Sequence, residues 1–412
     1  MATPWRAFLL VFLVHLGVQG VFLAQVAPQH VLPHTRWEVP AVAMALYERG
    51  EFADPYCLPT GPTAHMPPFQ PALIAAVYFL LGPTLAAGYA LWLIAIAFYG
   101  VMYAMLPWLG ERLGLGTRAG LAGGLVGALI PRWPGYVEGL ATVAIGLMAA
   151  AFLRRWGPDR PTSGGSLRLG LAIGLSFLVT PSLLPVALGL VAFELVWRRE
   201  PRRWRWAALT LLGMALACAP WTWRNDESLG GLFFVRSNFG LELRMGNHEG
   251  AGATLGLSAR AGTERHPRTN EEEARKVQQL GELEYMRQAG REAAARIRSH
   301  PAEFLRLTGL RVGQFWLGPI DDLPVALGIS ALTLLSAVGA GRAWPRLSVP
   351  QRAALLIPLL TFPPVYYVVG FEARYRQPMD GLQLLLAATA LVAVNPGPTR
   401  TAPPPRPRRA EP

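Results

Sequence analysis

The sequence predicts an all-α polytopic membrane protein with about ten transmembrane helices, and three observations carry that prediction. Of the 412 residues, 52% are hydrophobic and only 16% are charged, against roughly a quarter charged in ordinary soluble domains. Stretches such as Ala7 to Ala27 and Thr84 to Leu106 contain no Asp, Glu, Lys or Arg, and each supplies the ~20 residues a helix needs to cross the hydrocarbon core. The basic residues, finally, sort by loop instead of gathering in one patch. Apolar runs of this length exclude a transmembrane barrel, whose strands alternate in short segments. The net charge of +12 then describes a topology, and nucleic acid is not expected as a partner.

The first apolar run, Ala7 to Ala27, is read as an uncleaved helix, because Arg6 is a thin basic region and Gln25 fits poorly at the small-residue position of a cleavage site. An outer loop from about 28 to 83 follows. In it Val39, Val42, Ala43 and Leu46 recur at helical spacing with Pro40 in the first turn, which predicts an amphipathic interfacial helix anchored by Trp37. Glu38 then stands at that helix's N-terminus, where the dipole favours an ionised carboxylate, although support of the helix or pairing with Arg36 would explain it equally. Asp54 before Pro55 reads first as a turn former. The segment Thr60-Gly61-Pro62-Thr63-Ala64-His65-Met66-Pro67-Pro68-Phe69-Gln70-Pro71 is a stiff, extended lead into a helix from Ala72 to Leu81. His65 could be an acid, a base or a ligand, but no partner lies at metal-ligand spacing, and no metal or other cofactor is expected.

The remaining spans are expected at Thr84 to Leu106, Ala119 to Ile130, Gly135 to Leu153, Leu169 to Thr180, Leu183 to Trp197, Trp206 to Trp221, Leu323 to Ala340, Ala353 to Gly370 and Leu382 to Val394. The short ones at Ala119 and Leu169 could be broken or re-entrant. Glu138 falls near the outer end of its span as a second candidate acid, whereas an i, i+4 pair with Arg198 accounts for Glu194. A large outer loop from about 222 to 321 opens with Pro220-Trp221-Thr222-Trp223-Arg224-Asn225. It continues through Arg236-Ser237-Asn238-Phe239-Gly240 to Arg244-Met245-Gly246-Asn247-His248, a polar loop suited to bonding a sugar or a phosphate. Asn270 and Glu273 sit in capping-box positions for a soluble helix ending near His300-Pro301, and Phe304, Leu307, Arg311, Phe315 and Trp316 form a face returning to the membrane. The last outer turn, Phe371-Glu372-Ala373-Arg374-Tyr375-Arg376-Gln377-Pro378, places two arginines at a membrane boundary, where charged groups usually have partners. These could be an anionic headgroup or lipid-linked phosphate, or Asp380 and Glu372. The membrane domain is thus 1–396, and 397–412 is a Pro- and Arg-rich tail expected to be disordered.

Loop charge orients the spans. One alternating set of loops carries 19 arginines and the short loops of the other set 5, so both termini are expected in the cytoplasm. Cys57 and Cys218 are too few for a disulfide framework and are read as free.

Together WE with the following ERGEF, TGPTAHMPPFQP, PWTWRN, RSNFGLELRMGN, HPAEFLRL and RYRQP, in this order between about Trp37 and Ala387, resemble the bacterial polytopic glycosyltransferases of the GT-C class related to the dolichyl-phosphate-mannose protein mannosyltransferases. Gln70 departs from the aromatic usual between the prolines, and Gln377 from a frequent His. The resemblance implies a polyprenyl-phosphate-linked sugar donor, a lipid, glycan or protein acceptor, an active site on the outer face of the plasma membrane, and an acidic base in the first outer loop. That base falls on Glu38, with Asp54 second. The implied phosphate ligands fall on Arg374, Arg376, Arg224 and Arg236, and His65, Glu138, Asn238, Asn247 and Tyr375 are candidates for substrate contact. A transporter or lipid flippase and an inactive glycosyltransferase-like scaffold are the alternatives. Transporters usually place ionisable residues near mid-membrane and show duplicated halves, whereas here charges gather at the outer ends and no repeat is evident.

Overall fold

A computed structural model of the chain describes residues 4–33, 37–133, 135–158, 160–260 and 265–392. Arg36, the end of the last expected span and the 397–412 tail lie outside the described residues. Among those described, secondary structure is helical apart from two isolated bridges, Ala53 with Pro62 and Thr254 with Phe371.

The first half of the chain runs through α1 (Pro4–Gln25), α2 (Glu38–Arg49), α3 (Phe69–Leu81), α4 (Leu85–Ala104), α5 (Leu106–Arg112), α6 (Thr117–Ala128), α7 (Val137–Arg155), α8 (Ser163–Phe177) and α9 (Leu184–Trp197). The long α10 (Arg203–Leu229) leads into the large loop, which holds α11 (Phe239–Gly246), α12 (Leu255–Arg260), α13 (Glu271–Leu280), α14 (Glu282–Ser299) and α15 (Pro301–Leu317). The chain closes with α16 (Leu323–Ala343), α17 (Val349–Thr361), α18 (Pro364–Val369), α19 (Ala373–Arg376) and α20 (Asp380–Leu391).

Among the described residues, six helical stretches are long and apolar enough to cross a membrane: Trp5–Gln25, Leu85–Arg112, Val137–Arg155, Arg203–Leu229, Leu323–Arg346 and Val349–Val369. The chain is therefore a membrane protein. The other expected spans are also helical, as α6, α8, α9 and α20, but these run 12, 15, 14 and 12 residues, short of the ~20 that a perpendicular crossing needs.

Small residues let these helices meet backbone to backbone, as apolar solvent requires of helices that cannot gain by hiding from lipid. At the α8–α10 crossing an added Cβ on Gly170 would lie 2.1 Å from the Thr210 carbonyl oxygen, and one on Gly213 would lie 2.4 Å from that of Leu167. Neither neighbour is a side chain that can turn away. Gly213→Leu should therefore cost about 3 kcal/mol or more, read as a lowered melting temperature in detergent, while Gly164→Leu, on the open side of α8, should melt like wild type. Near this crossing, Arg155 donates to Ser166 of α8 at 3.1 Å and to both oxygens of Glu194 at 2.7 and 2.8 Å, and Arg198 stands 3.6 Å from the same carboxylate. The expected Glu194–Arg198 pair is thus secondary to one between α7 and α9.

In the layer that loop charge predicts to be the outer one, α2 forms with Glu38 as its first residue and Gly50 in the left-handed region (φ 71°) at its end. Its apolar face does not lie free on lipid: Ala43 packs with Ile74, Ala75 and Tyr78 of α3. Two loop expectations change. The stretch following Asn238 is a helix, α11, because Leu241 and Met245 fall one turn apart and bury against Tyr285 and Met286 of α14. The single helix expected from Asn270 to His300 is broken by Gly281 at φ 75°, which starts a new helix with Glu282 buried at its first position. Asn270 does cap α13, accepting from the Glu273 N–H at 3.1 Å. The Glu273 side chain, in contrast, is buried and bonded to Arg244 and Tyr285, each at 2.7 Å, so it joins α11 to α13 and α14 in addition to sitting in the capped turn.

Candidate functional site

The proline segment from Thr60 to Pro68 is the spine of the site, and the large loop clamps it at several points. Glu282 Oε1 accepts from the Ala64 N–H at 2.8 Å and from the Ser237 hydroxyl at 2.6 Å, and Thr63 donates its hydroxyl to the other oxygen. Burial raises the Glu282 pKa, opposed by the hydrogen bonds from Ser237, Thr63 and the Ala64 amide and by the charge of Arg224. Arg224 donates to the Thr63 and Phe52 carbonyls at 2.7 and 2.9 Å, and Arg236 to the His65 carbonyl at 2.9 Å. Arg224 thus spends both terminal nitrogens on main chain. Asp54, at φ 58°, closes the preceding turn, accepting from the Thr60 and Gly61 amides at 2.8 Å and pairing with Arg49; all of its contacts are those of a turn.

At the end of this spine three groups from distant parts of the sequence meet. Glu38 Oε1 lies 3.7 Å from Nδ1 of His266, and one ligand atom each of Glu38, His65 and His266 lies within 4.8 Å of the others. His65 is buried; its Nδ1 is 3.1 Å from the Tyr56 hydroxyl, and its ring meets that of His266 edge to face at 5.7 Å. Burial, with His266 and Arg236 adding to it, holds the His65 pKa well below the ordinary histidine range, so its imidazole is neutral at pH 7. No spacing in the sequence points to this cluster, because 27 and 201 residues separate the three positions; brought together, they form a group that could hold a metal ion.

A second group lies along the turn from Glu372 to Asp380. Arg376 is buried and donates to Asp380 Oδ1 at 2.5 Å, while Arg132 approaches the other oxygen of the same carboxylate at 3.6 Å. Two guanidiniums thus share one carboxylate and leave a net positive charge. Arg132 also faces the rings of Tyr99 and Tyr103 at 5.5 and 5.7 Å. It escaped the sequence reading because it looked like an ordinary loop arginine. Arg374 pairs with Glu372 at 2.7 Å, Tyr375 stacks on Tyr366 at 4.9 Å, and Glu138 at the first turn of α7 acts electrostatically on Arg374. Arg236 and Glu242, 3.6 Å apart, are together with Glu138 close enough to Tyr366 to act on it, and Arg236 also acts on His65.

Asn238 donates to Glu242 at 2.6 Å. Asn247 is buried, donating to the Leu243 and Val368 carbonyls at 2.8 Å. Beside it Arg311, fully buried on α15, donates to the carbonyls of Gly246 and Val368 and so ties the large loop to the end of α18. An added Cβ on Gly246 would lie 1.9 Å from the Val369 oxygen, which explains a glycine at this contact.

No family model matches the chain, and no curated protein does. Solved structures do. An archaeal oligosaccharyltransferase, AglB from Archaeoglobus fulgidus, in complex with an inhibitory peptide and a dolichol-phosphate, superposes with a TM-score of 0.56 at 15% identity, over 94% of this chain and 50% of that one. The Archaeoglobus fulgidus oligosaccharyltransferase in complex with Zn and sulfate gives 0.51 at 16%, over 93% and 48%, and its apo form gives 0.52 at 15%, over 94% and 50%. The chain spans about half the length of these proteins. At such identity the likeness is one of fold alone.

Proposed function

We propose that the chain is a glycosyltransferase of the bacterial plasma membrane, with both termini cytoplasmic, that moves a sugar from a polyprenyl-phosphate-linked donor to an acceptor hydroxyl on the outer face. The observation that carries this reading is the pair of groups just described, within a fold like that of the oligosaccharyltransferases. A carboxylate, Glu38, stands at a helix N-terminus, and a cationic group, Arg376 and Arg132 on Asp380 with Arg374 nearby, lies along the last turn before α20. The motifs that resemble the protein mannosyltransferases fall on both sides, so the donor is read as a lipid-linked monosaccharide, with hexose or pentose open and a lipid, glycan or protein as acceptor.

The chemistry balances as a single displacement. Glu38 takes the proton of the acceptor hydroxyl, whose oxygen attacks the anomeric carbon as the bond from that carbon to the donor phosphate oxygen breaks. The configuration inverts. The polyprenyl phosphate leaves as an ion already stabilised by Arg374 and Arg376, so it needs charge and no proton donor. Arg132 joins this set because it shares Asp380 with Arg376. Arg224 and Arg236, engaged with the proline segment, enter as positioning residues more than as phosphate ligands, and Asp54 as the second choice of base. Glu138, Tyr375, Asn238 and Asn247 enter as further candidates for contact with the sugar, as does His65, which lies near Glu38.

The reading is tested by incubating the purified protein, in lipid, with a panel of radiolabelled polyprenyl-phosphate sugars and measuring sugar release and donor binding. Release from one donor of the panel is the expected result; failure to bind any would return weight to a transporter or a scaffold. In the same assay Arg374→Gln should weaken donor binding by roughly 10- to 100-fold, the worth of one charge-assisted hydrogen bond.

A further inference from the structure

We propose that the two elbows joining α7 to α8 and α9 to α10 form a binding platform for anionic phospholipid headgroups, at the membrane boundary opposite the candidate site. Glu138 lies in the first turn of α7 and Arg154 and Arg155 in its last, and its 19 residues make a helix of about 28 Å, close to the ~30 Å of the hydrocarbon core. The same holds for α10, which starts at Arg203 and reaches Arg224 21 residues later, about 31 Å away. The guanidiniums of the elbows thus stand one hydrocarbon thickness from the groups assigned to sugar transfer and cannot serve the donor phosphate there.

From Arg154 to Arg205 the sequence carries nine arginines against three carboxylates, Asp159, Glu194 and Glu200. Part of this charge is structural. Arg155 holds Glu194 and Ser166. Arg198 donates to the Arg155 carbonyl at 2.6 Å and to Glu200 at 3.1 Å, and its guanidinium faces the rings of Trp156 and Trp206 at 4.5 and 5.6 Å. These contacts join the two elbows into one rigid piece and use up Glu194 and Glu200. Arg154, Arg160, Arg199, Arg202 and Arg205 are left over, all exposed and with no carboxylate partner among the described residues. Two large exposed rings accompany them: Trp197, stacked on Phe193 at 5.6 Å, and Trp204, faced by the Arg203 guanidinium at 5.6 Å. Exposed tryptophans beside unpaired guanidiniums match the two levels of a phospholipid headgroup, the ring meeting the glycerol region and the cation the phosphate. A soluble anion would engage the arginines and leave the rings without a role, so the membrane lipid is the occupant this surface fits. Orientation of the spans during insertion would account for the number of arginines, but it gives no reason for the rigid joint between the elbows or for the paired rings.

The test needs neither sugar donor nor acceptor, so its failure and that of the transfer reading are separable. Delipidated full-length protein in detergent is titrated with phosphatidylglycerol and, separately, with phosphatidylcholine of the same acyl chains, and bound lipid is counted by native mass spectrometry. Wild type should prefer phosphatidylglycerol by roughly 10- to 100-fold, and the preference should shrink as salt is added. Replacing Arg199, Arg202 and Arg205 together by Gln should bring the two lipids within about 3-fold of each other, since each arginine near the surface is worth about fivefold. If that variant inserts wrongly, Arg154→Gln with Arg160→Gln takes its place, with an expected loss of about 10-fold. Arg287→Gln with Arg291→Gln, at exposed arginines of α14 paired with Glu284, should bind both lipids as wild type does. Equal affinity of wild type for the two lipids, a preference that survives in the platform variants, or an equal loss in the α14 variant overturns the platform. Displacement of phosphatidylglycerol by millimolar inorganic phosphate would overturn the assignment to lipid in favour of a free anion.

Discussion

Glu38→Gln is expected to reduce sugar transfer by about 10² to 10⁴, the range over which a positioned general base contributes, while expression and donor binding stay at wild-type levels. The amide keeps the size of the side chain and its place at the first residue of α2, so the fold has little to lose. It cannot accept the acceptor's proton. The donor phosphate would be held by Arg374 and Arg376, which differ from Glu38 in element and role, and so donor affinity should not follow the loss of rate. The assay is single-turnover transfer with a donor identified from the panel, alongside equilibrium binding of that donor. Full transfer by Glu38→Gln would remove this carboxylate from the base role, and the same measurement on Asp54→Asn would then decide whether the turn carboxylate takes it instead.

Glu282→Ala is expected to destabilise the outer layer by about 3 kcal/mol, since the Thr63 and Ser237 hydroxyls and the Ala64 amide each lose a buried acceptor at about 1 kcal/mol or more apiece. Hydrogen exchange across residues 60 to 68 would report it locally, and thermal melting globally. Glu282→Gln keeps one acceptor oxygen and the shape, so it should lose less. The pH dependence reports the ionisation of that carboxylate. Its folded pKa is raised, by burial first, so the folded state binds the proton more readily than the unfolded chain does. Stability from this group is then fullest below the ordinary carboxylate range and is lost as pH rises through the raised value. Acidification from neutrality should stabilise wild type relative to Glu282→Gln, and parallel melting curves for the two would contradict the assigned shift.

The two predictions rest on residues of different visibility in the sequence. Glu38 was legible because amphipathic spacing located α2 and Pro40 located its first turn, so the acid's place at the N-terminus followed. The long spans were legible for a similar reason: a run without charge, such as Thr84 to Leu106, has few alternatives in any solvent. Glu282 was hidden. Its buried role depends on Gly281 breaking what reads as one continuous soluble helix, and a lone glycine in a helical pattern gives only a weak signal for a break. The α11 helix was missed because glycines and asparagines outweighed the Leu241 and Met245 pair in the reading, whereas contacts with α14 decide the outcome in the folded chain. His266 and Arg132 illustrate the remaining kind of blindness, as their significance lies wholly in partners brought from far along the chain.

The buried Arg311 has a bearing on how the protein is made. Its guanidinium bonds to carbonyls 65 residues upstream, at Gly246, and 57 residues downstream, at Val368. During synthesis the upstream half of this socket is present when α15 emerges, but the downstream half must wait until α16 and α17 have been laid into the bilayer. Until then a charged group destined for a dry interior stands half-satisfied, and contacts across such long sequence separations form late. The outer layer should consequently reach its final state only after the last helices have arrived, and a chain arrested before Val368 would carry its large loop unlatched, open to proteases and chaperones on the far side of the membrane.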